Sequence, residues 1–180
     1  MRSGCCAAAL VPQPSPCASH KARSVTGTRS FRQARLLALL TPAALLGGAY
    51  ISQYGFGLFP CEMCWWQRYP HFAALALAAL AFALSPGRML VALAGLALMI
   101  TGVIGAFHAG VEYHWWEGLT ACTSNAASGG DPLAAIMGAP IIRCDVAQWS
   151  LMGISLAGFN FLISCSAAIA VFSLLQRDKP

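Results

Sequence analysis

A CxxC cysteine pair followed by an arginine is the part of this chain best suited to chemistry. Cys61 and Cys64 lie in the run CEMCWWQRYPH, and Arg68 follows Cys64 by four residues. A CxxC disulfide closes a loop too short to add much stability, which favours thiol–disulfide exchange over cross-linking. Pro70 favours the first turn of a helix, so we expect a helix to begin just after Cys64 and to place Arg68 on the same face. The pattern predicts a stabilised thiolate at Cys64.

Other uses of paired cysteines fit the sequence less well. A c-type haem needs histidine directly after the second cysteine, where this chain has Trp65. A four-cysteine zinc site usually repeats its short spacing, yet 21 residues separate Cys122 from Cys144. We therefore expect no metal. The remaining alternative to exchange chemistry is a set of purely structural disulfides.

The composition places these residues at a membrane. Of the 180 residues 58% are hydrophobic and 9% are charged, whereas soluble domains carry about a quarter charged residues. Four apolar stretches approach the roughly 20 residues that a membrane-spanning helix needs: 36–54, 72–84 with an extension from residue 65, 89–107 and 149–175. The second has only 13 uninterrupted apolar residues, so a re-entrant or interfacial segment is the alternative there. The prediction is an all-α membrane protein, a four-transmembrane-helix bundle with two outward loops.

Positive charges orient this bundle. Nine of the 11 lysines and arginines lie before the first stretch, between the second and third, or after the fourth. By the positive-inside rule both termini are cytosolic and both redox loops face outward. The net charge of +5 is attributed to this topology and to contact with the lipid bilayer, and no nucleic-acid partner is expected.

The eight cysteines separate by compartment. Four lie on the outside, where thiols can be oxidised: Cys61, Cys64, Cys122 and Cys144. The other four have no expected chemistry: Cys5, Cys6 and Cys17 on the cytosolic side, and Cys165 as a small buried side chain in the fourth stretch.

The ends and the long loop differ in composition from the apolar stretches. Residues 1–32 are rich in Ser, Pro and Arg and contain no acid, so we expect a cytosolic, disordered extension, with a transit peptide as the alternative. The redox domain is expected over 33–176, with a cytosolic tail at 177–180. The long outer loop, about 108–148, is long enough to reach a soluble partner, and its apolar part 132–142 is expected along the membrane surface.

These features resemble the DsbB family of disulfide-bond-formation proteins. The resemblance covers about 33–176 and rests on the four stretches, on CEMCWWQRYPH, on a second cysteine pair in the long loop, and on PIIRCDVAQWS around Cys144. It implies a quinone-linked thiol oxidase of the bacterial inner membrane with its redox loops in the periplasm. Its protein partner would be a soluble DsbA-like oxidoreductase, and its electron acceptor ubiquinone or menaquinone.

The resemblance also implies a role for each outer cysteine. Cys122 would be attacked by the reduced partner, and Cys144 would then attack Cys61 to pass the oxidation inward. Cys64 would be the thiolate in contact with quinone, and Arg68 would stabilise it.

His108 would line the quinone pocket, with a satisfied interfacial histidine as the alternative. Another DsbB-like or vitamin-K-epoxide-reductase-like protein with a different partner stays open, as does a non-enzymatic scaffold. Redox potentials favour quinone as the acceptor. A DsbA potential of about −120 mV lies roughly 100 mV above the glutathione poise, so passing electrons to that pool is uphill by about 5 kcal/mol.

Overall fold

The computed structural model describes residues 29–84, 87–119 and 143–177. Four helices make up most of these residues: α1 Arg29–Phe56, α2 Glu62–Ala83, α3 Arg88–Glu112 and α4 Leu156–Arg177. A two-stranded antiparallel hairpin, β1 Ser150–Leu151 and β2 Ile154–Ser155, precedes α4. The predictions for residues 1–28, for Cys122 and for the apolar loop segment 132–142 lie outside the described residues.

The architecture is mostly helical, and three of the described helices are long and apolar enough to cross a membrane. These are α1, α3 and α4, which match the first, third and fourth predicted stretches. Helix α2 has 22 residues but carries buried Gln67, Arg68 and His71 in its first half. Those polar side chains point to neighbouring helices. Helix α2 is therefore as long as a membrane helix and also contributes buried polar side chains to a site inside the bundle.

Three predicted boundaries were wrong. Helix α2 begins at Glu62, and Pro70 lies in its interior. The helix starts early because the Cys61 side chain accepts a hydrogen bond from the Cys64 backbone N–H and caps the first turn. Helix α1 begins at Arg29, so residues 29–32 are helical. Helix α4 begins at residue 156 rather than near 149, because the hairpin turn with Gly153 at φ 81° occupies the intervening residues.

Small residues let the helices approach closely. The end of the bundle away from the CxxC is a cluster of buried alanine, valine and leucine side chains from all four helices. Midway along α3, a Cβ on Gly105 would lie 3.0 Å from the Ala157 carbonyl oxygen and 3.0 Å from Asn160 Nδ2. Glycine at this position therefore lets α4 bring Asn160 against α3. Cys165, expected to be buried, is half-buried and lies against Gly102 in the same interface.

Candidate redox site

The two cysteines of the CxxC lie at the start of α2. Cys61 is the N-cap residue, and its Sγ accepts the Cys64 N–H at 3.3 Å. The two sulfurs are 3.0 Å apart, and both residues are free thiols. Cys61 is buried and Cys64 is half-buried. The capped turn therefore holds the pair at the distance needed to exchange a proton or to form a disulfide.

His108 joins this pair from α3. Its ring is 2% exposed, and its Nε2 lies 3.6 Å from Cys61 Sγ. The Gln67 amide nitrogen donates to the Met63 carbonyl, so the same nitrogen is the donor to His108 Nδ1 at 2.8 Å. In the neutral ring the proton must then lie on Nε2, directed at Cys61. His108 therefore belongs to the site, as predicted, and its direct contact there is with Cys61, the first cysteine of the pair.

The sulfur favoured as thiolate in the reduced pair is Cys61. The hydrogen bond from the Cys64 thiol is the main cause that lowers the pKa of Cys61 to about 5, against desolvation by burial, and His108 lowers it further. The ordinary value is about 8.5. The sequence predicted a thiolate at Cys64 from the helix start and the i+4 arginine, and this role of Cys64 stays a prediction. The N–H donors around Cys61 are the Cys64 backbone N–H in the helix cap and the His108 ring on α3.

Arg68 is held in the interior between α1 and α2. Its side chain is 6% exposed, and its guanidinium donates to Gln53 Oε1 at 2.7 Å and to the Ala49 carbonyl at 3.3 Å. The charge also lies 5.0 Å from the ring centre of Tyr50 and 4.9 Å from that of Trp65. These contacts fix the guanidinium inside the protein.

Cys144 lies beside the CxxC although 79 residues separate it from Cys64 in sequence. It is 1% exposed, is disulfide-bonded, and belongs to one buried cluster with Cys61, Met63 and Val111. The flanking residues are exposed, with Arg143 Nε donating to Asp145 Oδ1 at 2.9 Å. That hydrogen bond lowers the pKa of Asp145 to about 2. The structure thus brings together three of the four predicted cysteines, and Cys122 lies outside the described residues.

A cavity of about 260 Å³ opens next to the pair. Apolar residues of α1 and the loop before α2 form much of its wall, and the polar wall includes Cys64, Arg68, His71 and His108. An apolar cleft with a few convergent polar groups is the usual form of a small-molecule site. The ligand atoms of Cys61, Cys64 and His108 also lie within 4.8 Å of one another, and soft donors of this kind suit zinc. The expectation of no metal stays a prediction.

Comparison with known proteins identifies the family. The sequence model described as "Disulfide bond formation protein DsbB" matches residues 31–175. The chain belongs to the DsbB family. It is 30% identical over 156 residues to a Disulfide bond formation protein B of Verminephrobacter eiseniae, covering 79% of this chain and 86% of that protein. It is 31% identical over 149 residues to one of Chromohalobacter salexigens, covering 69% and 84%. No solved structure matches significantly. The resemblance inferred from the motifs is confirmed, and the chain is a membrane protein of disulfide-bond formation with a disulfide oxidoreductase role.

This DsbB family member also contains a buried polar network that the sequence analysis missed. Asn160 Nδ2 donates to Gln67 Oε1 at 2.7 Å, and Asn160 Oδ1 lies 2.9 Å from His71 Nε2. The Thr101 hydroxyl donates to the Gln67 carbonyl at 2.8 Å. Polar residues inside apolar helices are rare and usually functional. On that ground Asn160 and Thr101 could have been noted in their stretches, but only the packed helices show that they converge.

The pKa of Cys61 leads to a titration experiment on the reduced protein. We expect thiolate absorbance in the ultraviolet to appear as the pH rises through about 5, and the transition to be absent in Cys61→Ser. His108→Phe removes a donor, so the midpoint is expected to move upward. Because the folded pKa is depressed, the stabilisation is fully present above the unfolded value of about 8.5 and is lost as the pH falls through about 5. A midpoint near 8.5 in the unmodified protein would contradict the assignment.

Proposed function

We propose that this chain oxidises a periplasmic DsbA-like dithiol oxidoreductase and passes the electrons to membrane quinone, either ubiquinone or menaquinone. One observation carries the proposal: the CxxC lies between a second redox cysteine and a ligand-sized cavity. Cys61 packs with Cys144 on one side, and Cys64 lines the cavity on the other. A non-enzymatic scaffold needs neither the cavity nor a capped, ionisable thiol.

The proposed transfer begins at the long outer loop. A thiolate of the reduced partner attacks Cys122 in a Cys122–Cys144 disulfide, and Cys144 leaves as a thiolate. Cys144 then attacks Cys61 of the oxidised CxxC, which releases Cys64. The second thiol of the partner then attacks the partner–Cys122 bond, which releases Cys122 and leaves the partner with a disulfide. Cys122 attacks the Cys144–Cys61 bond, so that the Cys122–Cys144 disulfide forms again and the CxxC is left reduced. In total two electrons and two protons pass from the partner to the CxxC. Packing of Cys144 against Cys61 supports the second exchange, since attack requires the sulfurs to meet.

The residues around the CxxC have separate parts in this reaction. His108 Nε2–H faces Cys61 and stabilises negative charge on that sulfur. Arg68 supplies a fixed positive charge to the cavity, where quinone, when bound, accepts the electron pair. The cavity fits a quinone headgroup, because its wall is apolar with a few polar groups that include the half-buried Cys64. The residues that line the cavity are therefore compatible with quinone, the electron acceptor that the family resemblance implies.

We also propose that α2 is a fourth span and that the site faces the periplasm. At about 1.5 Å per residue, its 22 residues extend about 33 Å, enough for a hydrocarbon layer of about 30 Å. The start of α3 and the end of α4 meet, because the Arg88 guanidinium donates to the Leu175 carbonyl. That end carries arginines from α1, α3 and α4 and lies opposite the CxxC. The positive-inside rule then places the termini in the cytosol.

Turnover in a defined system tests this function. The purified protein in lipid nanodiscs is mixed with excess reduced DsbA-like protein and with quinone, and partner thiols and quinone absorbance are followed together. We expect one quinone reduced for each partner disulfide formed, and only single-turnover oxidation without quinone. Cys61→Ser and Cys64→Ser serve as inactive controls. Partner oxidation that continues catalytically without quinone, or quinone loss without partner oxidation, would refute the proposal.

A further inference from the structure

His71 lines the cavity and contains a buried ring nitrogen without a hydrogen-bond partner among the described residues. The ring is 4% exposed and lines the cavity at the α2 side. Its Nε2 lies 2.9 Å from Asn160 Oδ1, while its Nδ1 is buried and has no hydrogen-bond partner within the described ranges. A buried polar atom without a partner costs about 1–3 kcal/mol, so such atoms are uncommon and usually have a use.

The position of the proton on this ring follows from the orientation of the Asn160 side-chain amide. A backbone carbonyl fixes that orientation, because a carbonyl can only accept a hydrogen bond. Asn160 Nδ2 donates to the Thr101 carbonyl at 3.2 Å, so Asn160 Oδ1 is the atom that faces His71. Oδ1 also accepts a hydrogen bond from the Ser164 hydroxyl at 2.8 Å. His71 Nε2 must therefore carry the proton, and in the neutral ring Nδ1 has a free lone pair.

The ring is neutral for a separate reason. Of the ion pairs found in the described parts of the chain, none involves His71. Burying an unpaired charge is costly, so an imidazole in this position stays uncharged. Neutral Nδ1 can accept a hydrogen bond but cannot donate one. It is complementary to a hydroxyl and not to a carbonyl, and this difference distinguishes a hydroquinone from a quinone.

We propose that His71 Nδ1 accepts a hydrogen bond from a ring hydroxyl of the quinol, so that the cavity binds the reduced form more tightly than the oxidised form. The inference rests on the proposed quinone-reducing function and adds a redox-selective residue to it. Binding the product of the two-electron, two-proton reduction more tightly than the quinone raises the midpoint potential of the bound couple. A tenfold preference corresponds to about 30 mV.

Separate affinities for the two forms test the proposal. Quinone and quinol are titrated without oxygen into the protein in nanodiscs, in a Cys61→Ser/Cys64→Ser background that prevents electron transfer. Quenching of tryptophan fluorescence reports binding, because Trp65 lies against the Arg68 side of the cavity. We expect His71→Phe to weaken quinol binding about tenfold and to change quinone binding less than twofold. His71→Gln keeps a donor for Asn160 and an acceptor for the ligand, so it should retain much of the preference.

A second test changes the ligand and leaves His71 intact, so its result does not depend on whether a variant folds. The dimethyl ether of the same quinol has no hydroxyl, and we expect it to bind no more tightly than the quinone. An equal loss of both affinities in His71→Phe would show that the ring only shapes the cavity, and the proposal would fail. Tight binding of the ether would overturn it as well. If neither quinone nor quinol binds the chain with His71 intact, the proposed function itself fails.

Discussion

Cys122→Ala is expected to abolish oxidation of the DsbA-like partner, with a loss of about 10³-fold or more. Cys144 is 1% exposed and packs with Cys61 and Met63, so a folded protein cannot reach its sulfur. Cys122, in the long loop that is predicted to face outward, is the cysteine proposed to meet the partner. A small dithiol such as dithiothreitol should still reduce the CxxC through half-buried Cys64 and support quinone reduction. The two rates are measured side by side on one preparation.

The free cysteine within α4 provides the matched control, and Cys165→Ala should leave both rates unchanged. Cys144→Ser supplies the complementary trap, since a mixed disulfide between Cys122 and the partner should then accumulate. Non-reducing electrophoresis with mass spectrometry identifies the attached sulfur. Partner linked to Cys61 instead would reverse the proposed order of the two loops.

Hydropathy and charge were enough to predict the helices, but not where they begin and end. The apolar stretches 36–54, 89–107 and 149–175 each contain a helix, because burial in lipid or protein leaves the backbone no other way to satisfy its hydrogen bonds. The start of α2 was misplaced because a cysteine cap is unusual and Pro70 looked like an initial residue. The conformation of two or three residues in the turn decided that boundary, and composition carries no information about that conformation.

The candidate site was predictable in its residue types and less so in its electrostatics. Spacing alone indicated Cys61, Cys64 and Arg68, because CxxC and a membrane arginine have few structural uses. His108, which contributes to the low pKa of Cys61, is 47 residues away from it on another helix. Tertiary packing decides that contact, as it does the approach of Cys144. The network around Asn160 was missed for the same reason, since its members are far apart in the sequence.

Arg68→Gln is expected to raise the KM for quinone about 10- to 100-fold, the effect of losing a hydrogen bond to a charged group. Arg68→Lys keeps the charge but has one ammonium in place of the planar fork that donates to both Gln53 and the Ala49 carbonyl. It should therefore give a smaller rise, about three- to tenfold. Steady-state kinetics at varied quinone, with the partner saturating, separate KM from kcat, and the first exchange at Cys122 should change little.

Because Arg68 also makes structural contacts, a control must separate the effect of these variants on stability from their effect on quinone binding. Because the guanidinium joins α2 to α1 and stacks near Tyr50, its loss also destabilises the fold. Gln53→Leu breaks the same interhelical hydrogen bond without removing the positive charge. If the charge acts on quinone, Arg68→Gln raises KM far more than Gln53→Leu at equal loss of melting temperature. Equal KM values in these two variants would make Arg68 a clamp between helices, and quinone recognition would have to come from the remaining cavity wall.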